Sequence, residues 1–228
     1  MWELVLPALE RRHEVLALTL PGHAGGPALG DDPVAGVERA LDDAGLDTAH
    51  LAGNSLGGWL ALQLAARGRA RSVVALAPAG GWAGDTPQDL FAFQRGLHAQ
   101  MKAAAPHAPA MLATDAGRRR ATELLTVRYR HIPAELLAHE VLGGAVADAP
   151  AMLANAARAD WSLDAERIAC PMRIVWGTED RLLPWPTAAE RYRRDLPHAD
   201  WVVLDDVGHC PQLDVPLEAA ELILGFTS

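Results

Sequence analysis

The chain has 228 residues, half of them hydrophobic, enough for one domain with a large core that needs no disulfide or metal to stay folded. Its formal net charge of −9 argues against nucleic acid or an anionic membrane as the main partner, and the one basic run, Arg118–Arg120, reads as a solvated helix face. Cys170 and Cys210 lack metal-ligand spacing and point to a reducing, cytoplasmic compartment; no apolar run approaches the roughly 20 residues that span a bilayer, and the N-terminus lacks signal-peptide grammar.

Trp2, Leu4, Val5 and Leu9 recur at helical spacing, so Trp2–Arg12 is expected to form a short amphipathic helix, with Pro7 limiting its middle. The compact apolar stretch Glu14–Leu20, stopped by Pro21-Gly22, predicts a buried strand and a sharp turn. A glycine- and proline-rich loop follows. After Pro33, the spacing of Val37, Ala40 and Leu41 predicts a helix that ends near Gly45. Ala49–Ala52 reads as a strand, Gly53–Gly58 as a turn, Trp59–Ala66 as a helix and Val73–Ala77 as a further strand. That alternation predicts an α/β fold with a mostly parallel sheet and helices on both faces. From Trp82 to Ala169 prolines punctuate segments of helical period, which predicts an insertion of three or four helices; Thr86-Pro87-Gln88-Asp89 looks like a helix start. Strands at Met172–Trp176 and Ala199–Leu204, with helices near Thr187–Leu196 and Glu218–Phe226, complete the pattern. The expected organisation is an N-terminal core part (1–81), a helical insertion (82–169) and a C-terminal core part (170–228).

Gly53-Asn54-Ser55-Leu56-Gly57 matches G-x-S-x-G between a strand and a helix. Small neighbours let a serine sit on a strained turn that lifts its hydroxyl above the sheet edge. The Leu56 N–H, at the start of the helix, is a candidate donor to the oxyanion of a tetrahedral intermediate. A serine hydroxyl needs a base. His209, just past the last predicted strand, is the preferred candidate, and the loop residue His23 is its rival. An acid must orient that base. Asp180, at the carboxyl end of the Met172–Trp176 strand, is preferred over Glu179, Asp205 and Asp206. Asn54, Trp82 and Trp161 are candidate substrate contacts, although tryptophans are more often core residues.

The order Ser55, Asp180, His209 is the one associated with α/β-hydrolases. Leu20-Pro21-Gly22-His23, Gly53-Asn54-Ser55-Leu56-Gly57-Gly58, Trp176-Gly177-Thr178-Glu179-Asp180 and Gly208-His209 resemble that family's landmarks, in register over nearly the whole chain. The resemblance implies a catalytic triad on a nucleophile elbow, a substrate-selecting lid from Trp82 onward, and no cofactor or metal. It implies a serine hydrolase acting on a small ester. A carbon–carbon bond hydrolase of aromatic degradation is the rival within the class, and a non-catalytic ligand binder the rival outside it. Family members usually carry two or three strands and a His-Gly loop before the helix that Trp2–Arg12 resembles. The expectation is therefore an N-terminally truncated member without the second oxyanion donor, whose open strand edge could pair two copies as a homodimer.

Overall fold

The structure is a computed structural model that describes residues 1–85 and 87–227. Two short helices come first, α1 (Leu6–Leu9) and α2 (Pro33–Asp43). Then β1 (Ala49–Asn54), α3 (Leu56–Ala66) and β2 (Ala70–Leu76) form a strand–helix–strand unit with β1 and β2 parallel. The following segment is helical: α4 (Gln88–Ala104), α5 (Ala108–Leu112), α6 (Asp115–Thr122), α7 (Ala134–Val146) and α8 (Ala149–Ala156). The strand–helix rhythm resumes with β3 (Met172–Gly177), α9 (Glu190–Asp195), β4 (Asp200–Leu204), α10 (Pro211–Asp214) and α11 (Pro216–Leu224). Among the described residues the sheet has four strands, all parallel, in the order β1-β2-β3-β4.

The two-residue period of a strand sorts the core into two layers. Val73 and Ala75 of β2 and Ile174 and Trp176 of β3 face a cluster built with α2, α3 and residues around α9. Val74, Leu76 and Val175 face the opposite cluster, built with Val5 and Leu9 near α1 and with Ala219, Ala220 and Ile223 of α11. A stretch buried on both faces is apolar at successive positions, which is why Val73–Leu76 of β2 reads as a continuous hydrophobic run. A third cluster joins Leu112, Tyr129, Ile132 and Leu137 of the helical segment to Cys210 and Leu213, beside His209.

Three expectations are corrected. Glu14–Leu20 forms no ladder with any neighbour: Val15, Leu18 and Leu20 are partly buried while Leu16, Ala17 and Thr19 are exposed. Alternating hydrophobicity encodes which side chains are covered, but a strand exists only where a neighbour's backbone pairs with it. The first helix is a single turn, Leu6–Leu9, rather than Trp2–Arg12, because Pro7 fits only the first turn of a helix. Among the described residues the segment after Trp82 carries five α-helices instead of three or four. Thr86, assigned from sequence to the start of α4, lies outside the described residues, and α4 begins at Gln88 directly after Pro87. Among the described residues no single helix is long and apolar enough to cross a membrane.

Candidate active site

The turn from β1 into α3 is set by three residues. Ser55 has φ 55° and ψ −117°, a conformation that L-residues rarely adopt and that costs on the order of 1–3 kcal/mol. A Cβ on Gly53 would lie 2.1 Å from the Gly57 carbonyl oxygen, and one on Gly58 would lie 2.9 Å from Pro78 Cβ. Only glycine fits at either place. The turn is held in place by the Ser55 N–H, which donates to the Leu76 carbonyl at 2.9 Å, and by the Ser55 carbonyl, which accepts from Trp59 and Ala79 at 3.1 and 3.0 Å. Leu56 is the first residue of α3, so its N–H belongs to the turn of amides that have no acceptor inside the helix.

His209 and Asp180 are brought together from the ends of β4 and β3. His209 Nδ1 and Asp180 Oδ2 are 2.7 Å apart, and both side chains are fully buried. Asp180 Oδ1 accepts from the Leu182 and Leu183 N–H groups at 2.9 and 2.7 Å. The Trp176 indole donates to the Leu183 carbonyl at 2.9 Å, which anchors the turn beneath the carboxylate. One oxygen of Asp180 therefore fixes the acid, and the other fixes the tautomer of the imidazole. The free ring nitrogen, Nε2, is buried and has no partner among the described residues, so it remains open to accept a proton. The rival residues stand elsewhere. Glu179 is exposed, Asp205 is exposed, Asp206 pairs with Arg128 at 3.2 Å, and His23 makes only a local contact with the Pro21 carbonyl.

Asn54, expected to face substrate, instead spends its side chain inside the protein. Its Nδ2 donates to the Leu76 carbonyl at 3.0 Å and to the His209 carbonyl at 2.9 Å. Its Oδ1 accepts from Gln212 Nε2 at 3.2 Å and from Cys210 Sγ at 3.4 Å. It ties the serine turn to the histidine loop. Trp82 and Trp161 are likewise corrected from substrate contacts to core residues. They lie 5.1 Å apart between ring centroids, Trp161 lies 4.9 Å from Trp59 and stacks on Phe91, and its indole donates to the Ala156 carbonyl at 2.9 Å. This aromatic group packs the helical segment onto α3.

Sequence reasoning missed Asp214, Gln212 and Cys210. Burial raises the Cys210 thiol well above the usual range, and the charges of Asp180, Glu140 and Asp214 add to the shift. Asp214 carried a legible signal: it is the one carboxylate in the otherwise uncharged run Cys210–Leu217. A lone buried carboxylate has to find donors.

A sequence profile described as the alpha/beta hydrolase family matches residues 1–222. An epoxide hydrolase of Mycobacterium tuberculosis is 34% identical over 197 residues, spanning 83% of this chain and 91% of that protein. A pimeloyl-acyl-carrier-protein methyl ester esterase of Aeromonas hydrophila is 28% identical over 239 residues, spanning 99% of this chain and 89% of that protein. Among solved structures, a hydrolase from Pseudomonas aeruginosa superposes with a TM-score of 0.75 at 22% identity, over 99% of this chain and 83% of that one.

Proposed function

This chain belongs to the alpha/beta hydrolase family, and from that premise we propose that it is a serine hydrolase of a small ester, working through Ser55, His209 and Asp180 without cofactor or metal. The observation that carries the reading is the buried 2.7 Å pair of His209 and Asp180, together with a serine held at φ 55° between a strand and a helix. In the proposed reaction Ser55 Oγ attacks the acyl carbonyl while His209 Nε2 takes its proton. Asp180 stabilises the imidazolium so formed, and the Leu56 N–H donates to the oxyanion. Collapse expels the alcohol, which takes the proton back from His209. Water, activated by the same imidazole, then releases the acid and restores Ser55.

Chemistry separates this reading from the activity named for the Mycobacterium relative. A serine that opened an epoxide would be left as an ether, with no carbonyl for water to attack, so the enzyme would stop after one turnover. An acyl-serine has that carbonyl.

The test is exposure to a fluorophosphonate, read by intact mass, with Ser55→Ala as control. A single adduct on the wild type that vanishes in the variant is the expected result. Turnover of p-nitrophenyl esters should follow, and turnover of a vinylogous diketone acid alone would move the assignment to carbon–carbon hydrolysis. A folded wild type that takes no adduct would overturn the serine mechanism in favour of a binder.

A further inference from the structure

Asp214 is 2% exposed, and among the described residues no cation pairs with it. A carboxylate buried in this way is costly unless donors replace its water. Here the donors are backbone N–H groups of two separate segments. Asp214 Oδ1 accepts from Val127 at 3.1 Å and Arg128 at 2.5 Å, while Oδ2 accepts from Val127 at 2.9 Å and from Gly208 at 2.7 Å. Val127 and Arg128 belong to the helical insertion between β2 and β3, and Gly208 immediately precedes His209. The two segments are already in contact: a Cβ on Gly208 would lie 2.7 Å from the Leu125 carbonyl oxygen and 3.0 Å from Thr126 Cα. The Cys210 N–H donates to the Leu125 carbonyl at 2.9 Å.

The backbone around the imidazole is therefore held at three successive residues. Asp214 takes the N–H of Gly208, Asn54 donates to the carbonyl of His209, and Leu125 takes the N–H of Cys210. Two of those three ties run to the Leu125–Arg128 stretch, directly or through Asp214. An amide in place of the carboxylate has a single acceptor oxygen, so beside Val127, which reaches either position, it can serve Arg128 or Gly208 but not both.

We propose that Asp214 is a positioning residue: its carboxylate locks the His209 loop to the Leu125–Arg128 stretch, so that the seating of the helical insertion and the aim of His209 Nε2 are set together. This rests on the reading of His209 as the base for Ser55. Proton transfer depends on sub-ångström placement, and the loss of a group that orients a reacting one costs roughly 10- to 100-fold in rate.

The experiment compares wild type, Asp214→Asn and, as a control for general destabilisation, Val37→Ala on the remote helix α2. Fluorophosphonate labelling is split into its maximal rate and its half-saturating concentration. In parallel, proton NMR follows the His209 Nδ1 proton shared with Asp180, a signal that needs no turnover. For Asp214→Asn the maximal rate should fall about 10- to 100-fold with the half-saturating concentration nearly unchanged, and the shared-proton resonance should shift or broaden. Labelling at the wild-type rate with an unmoved resonance would overturn the proposal, as would a loss no larger than that of Val37→Ala at equal loss of stability. If Asp214→Asn does not fold, Gly208→Ala pushes the same loop off Leu125 with the carboxylate intact. It should reproduce the loss, and wild-type labelling there would also overturn the proposal. A wild type that takes no label defeats the serine-hydrolase reading instead, and the resonance in Asp214→Asn then decides the positioning role by itself.

Discussion

Replacing Asn54 isolates the contact that joins the serine turn to the histidine loop. In Asn54→Ala the His209 carbonyl loses its donor from Nδ2 and is left buried without a partner, which costs about 1–3 kcal/mol. The Leu76 carbonyl also loses a donor but keeps the Ser55 N–H, so its share is nearer 1 kcal/mol. Gln212, fully buried, loses the acceptor of its amide, another cost of about 1–3 kcal/mol. The whole comes to about 3–7 kcal/mol, and at roughly 2–4 °C per kcal/mol for a chain of this size the melting temperature should fall by at least about 6 °C. Asn54→Asp sharpens the test. It keeps the acceptor for Gln212 and Cys210 but sets a carboxylate oxygen against two carbonyl oxygens, where Nδ2 now stands 2.9 and 3.0 Å from them. At pH 8 it should be less stable than Asn54→Ala. The deficit should shrink as the pH falls, because the protonated carboxyl regains one donor. Urea and thermal unfolding of the three proteins at pH 8 and pH 5 give the comparison. An Asn54→Ala protein within about 0.5 kcal/mol of wild type would refute the reasoning, since that is the range of a surface substitution with no buried partner. So would an Asp variant as stable as the Ala variant at pH 8.

Ser55→Gly should be more stable than Ser55→Ala by about 1 kcal/mol in urea unfolding, because glycine adopts φ 55°, ψ −117° without strain; equal stability would show the turn to be unstrained. Burial raises the thiol pKa of both cysteines, and Cys210 is fully covered. Raising a thiol pKa lowers its thiolate fraction at neutral pH. Native protein should therefore react slowly with an aromatic disulfide reagent through Cys170 alone, and both thiols should react in denaturant; fast reaction of two native thiols would contradict the burial. Burial, with the charges of His13 and Arg71, holds His50 below its ordinary value of 6.5. Above that pH the imidazole is neutral in both states and contributes nothing. Below it the unfolded chain takes up the proton first, so stability should decline from pH 6.5 downward until the native pKa is passed. Part of that decline should be absent in His50→Gln when both proteins are unfolded in urea across this range.

The serine turn was legible in the chain because its constraints are local. Gly53, Ser55 and Gly58 lie within six residues, and the clashes that exclude other side chains are with Gly57, Pro78 and Gly53 itself. The parallel order of the strands was legible for a similar reason, since a stretch buried on both faces, such as Val73–Leu76 of β2, is apolar at successive positions. Position along the chain narrowed the acid to four residues and favoured Asp180. Only the folded chain separates Asp180 from them, by turning its carboxylate onto His209 while Glu179 beside it faces solvent. Glu14–Leu20 shows the same limit on the scale of an element, because a hydrophobic pattern specifies a buried face and not the partner that would make it a strand.

Asn54, Trp82 and Trp161 were chosen as substrate contacts by their place near the motif and the insertion. Direction is a tertiary property: Asn54 turns toward the His209 loop 155 residues away, and the two indoles close a core with Trp59 and Phe91. Asp214 showed in the sequence only as a lone charge in an uncharged run; its partners, Val127 and Arg128, could not be read there because they lie 87 and 86 residues distant. The sequence by itself determined the strand–helix–strand unit around Ser55, the strained turn and the residue types able to do the chemistry, since these follow from neighbours along the chain. Which carboxylate meets the imidazole, which amide clamps it and which acid anchors its loop were decided by the tertiary structure. Hydrogen bonds act over about 3 Å, and only folding brings residues so far apart in the chain to that distance.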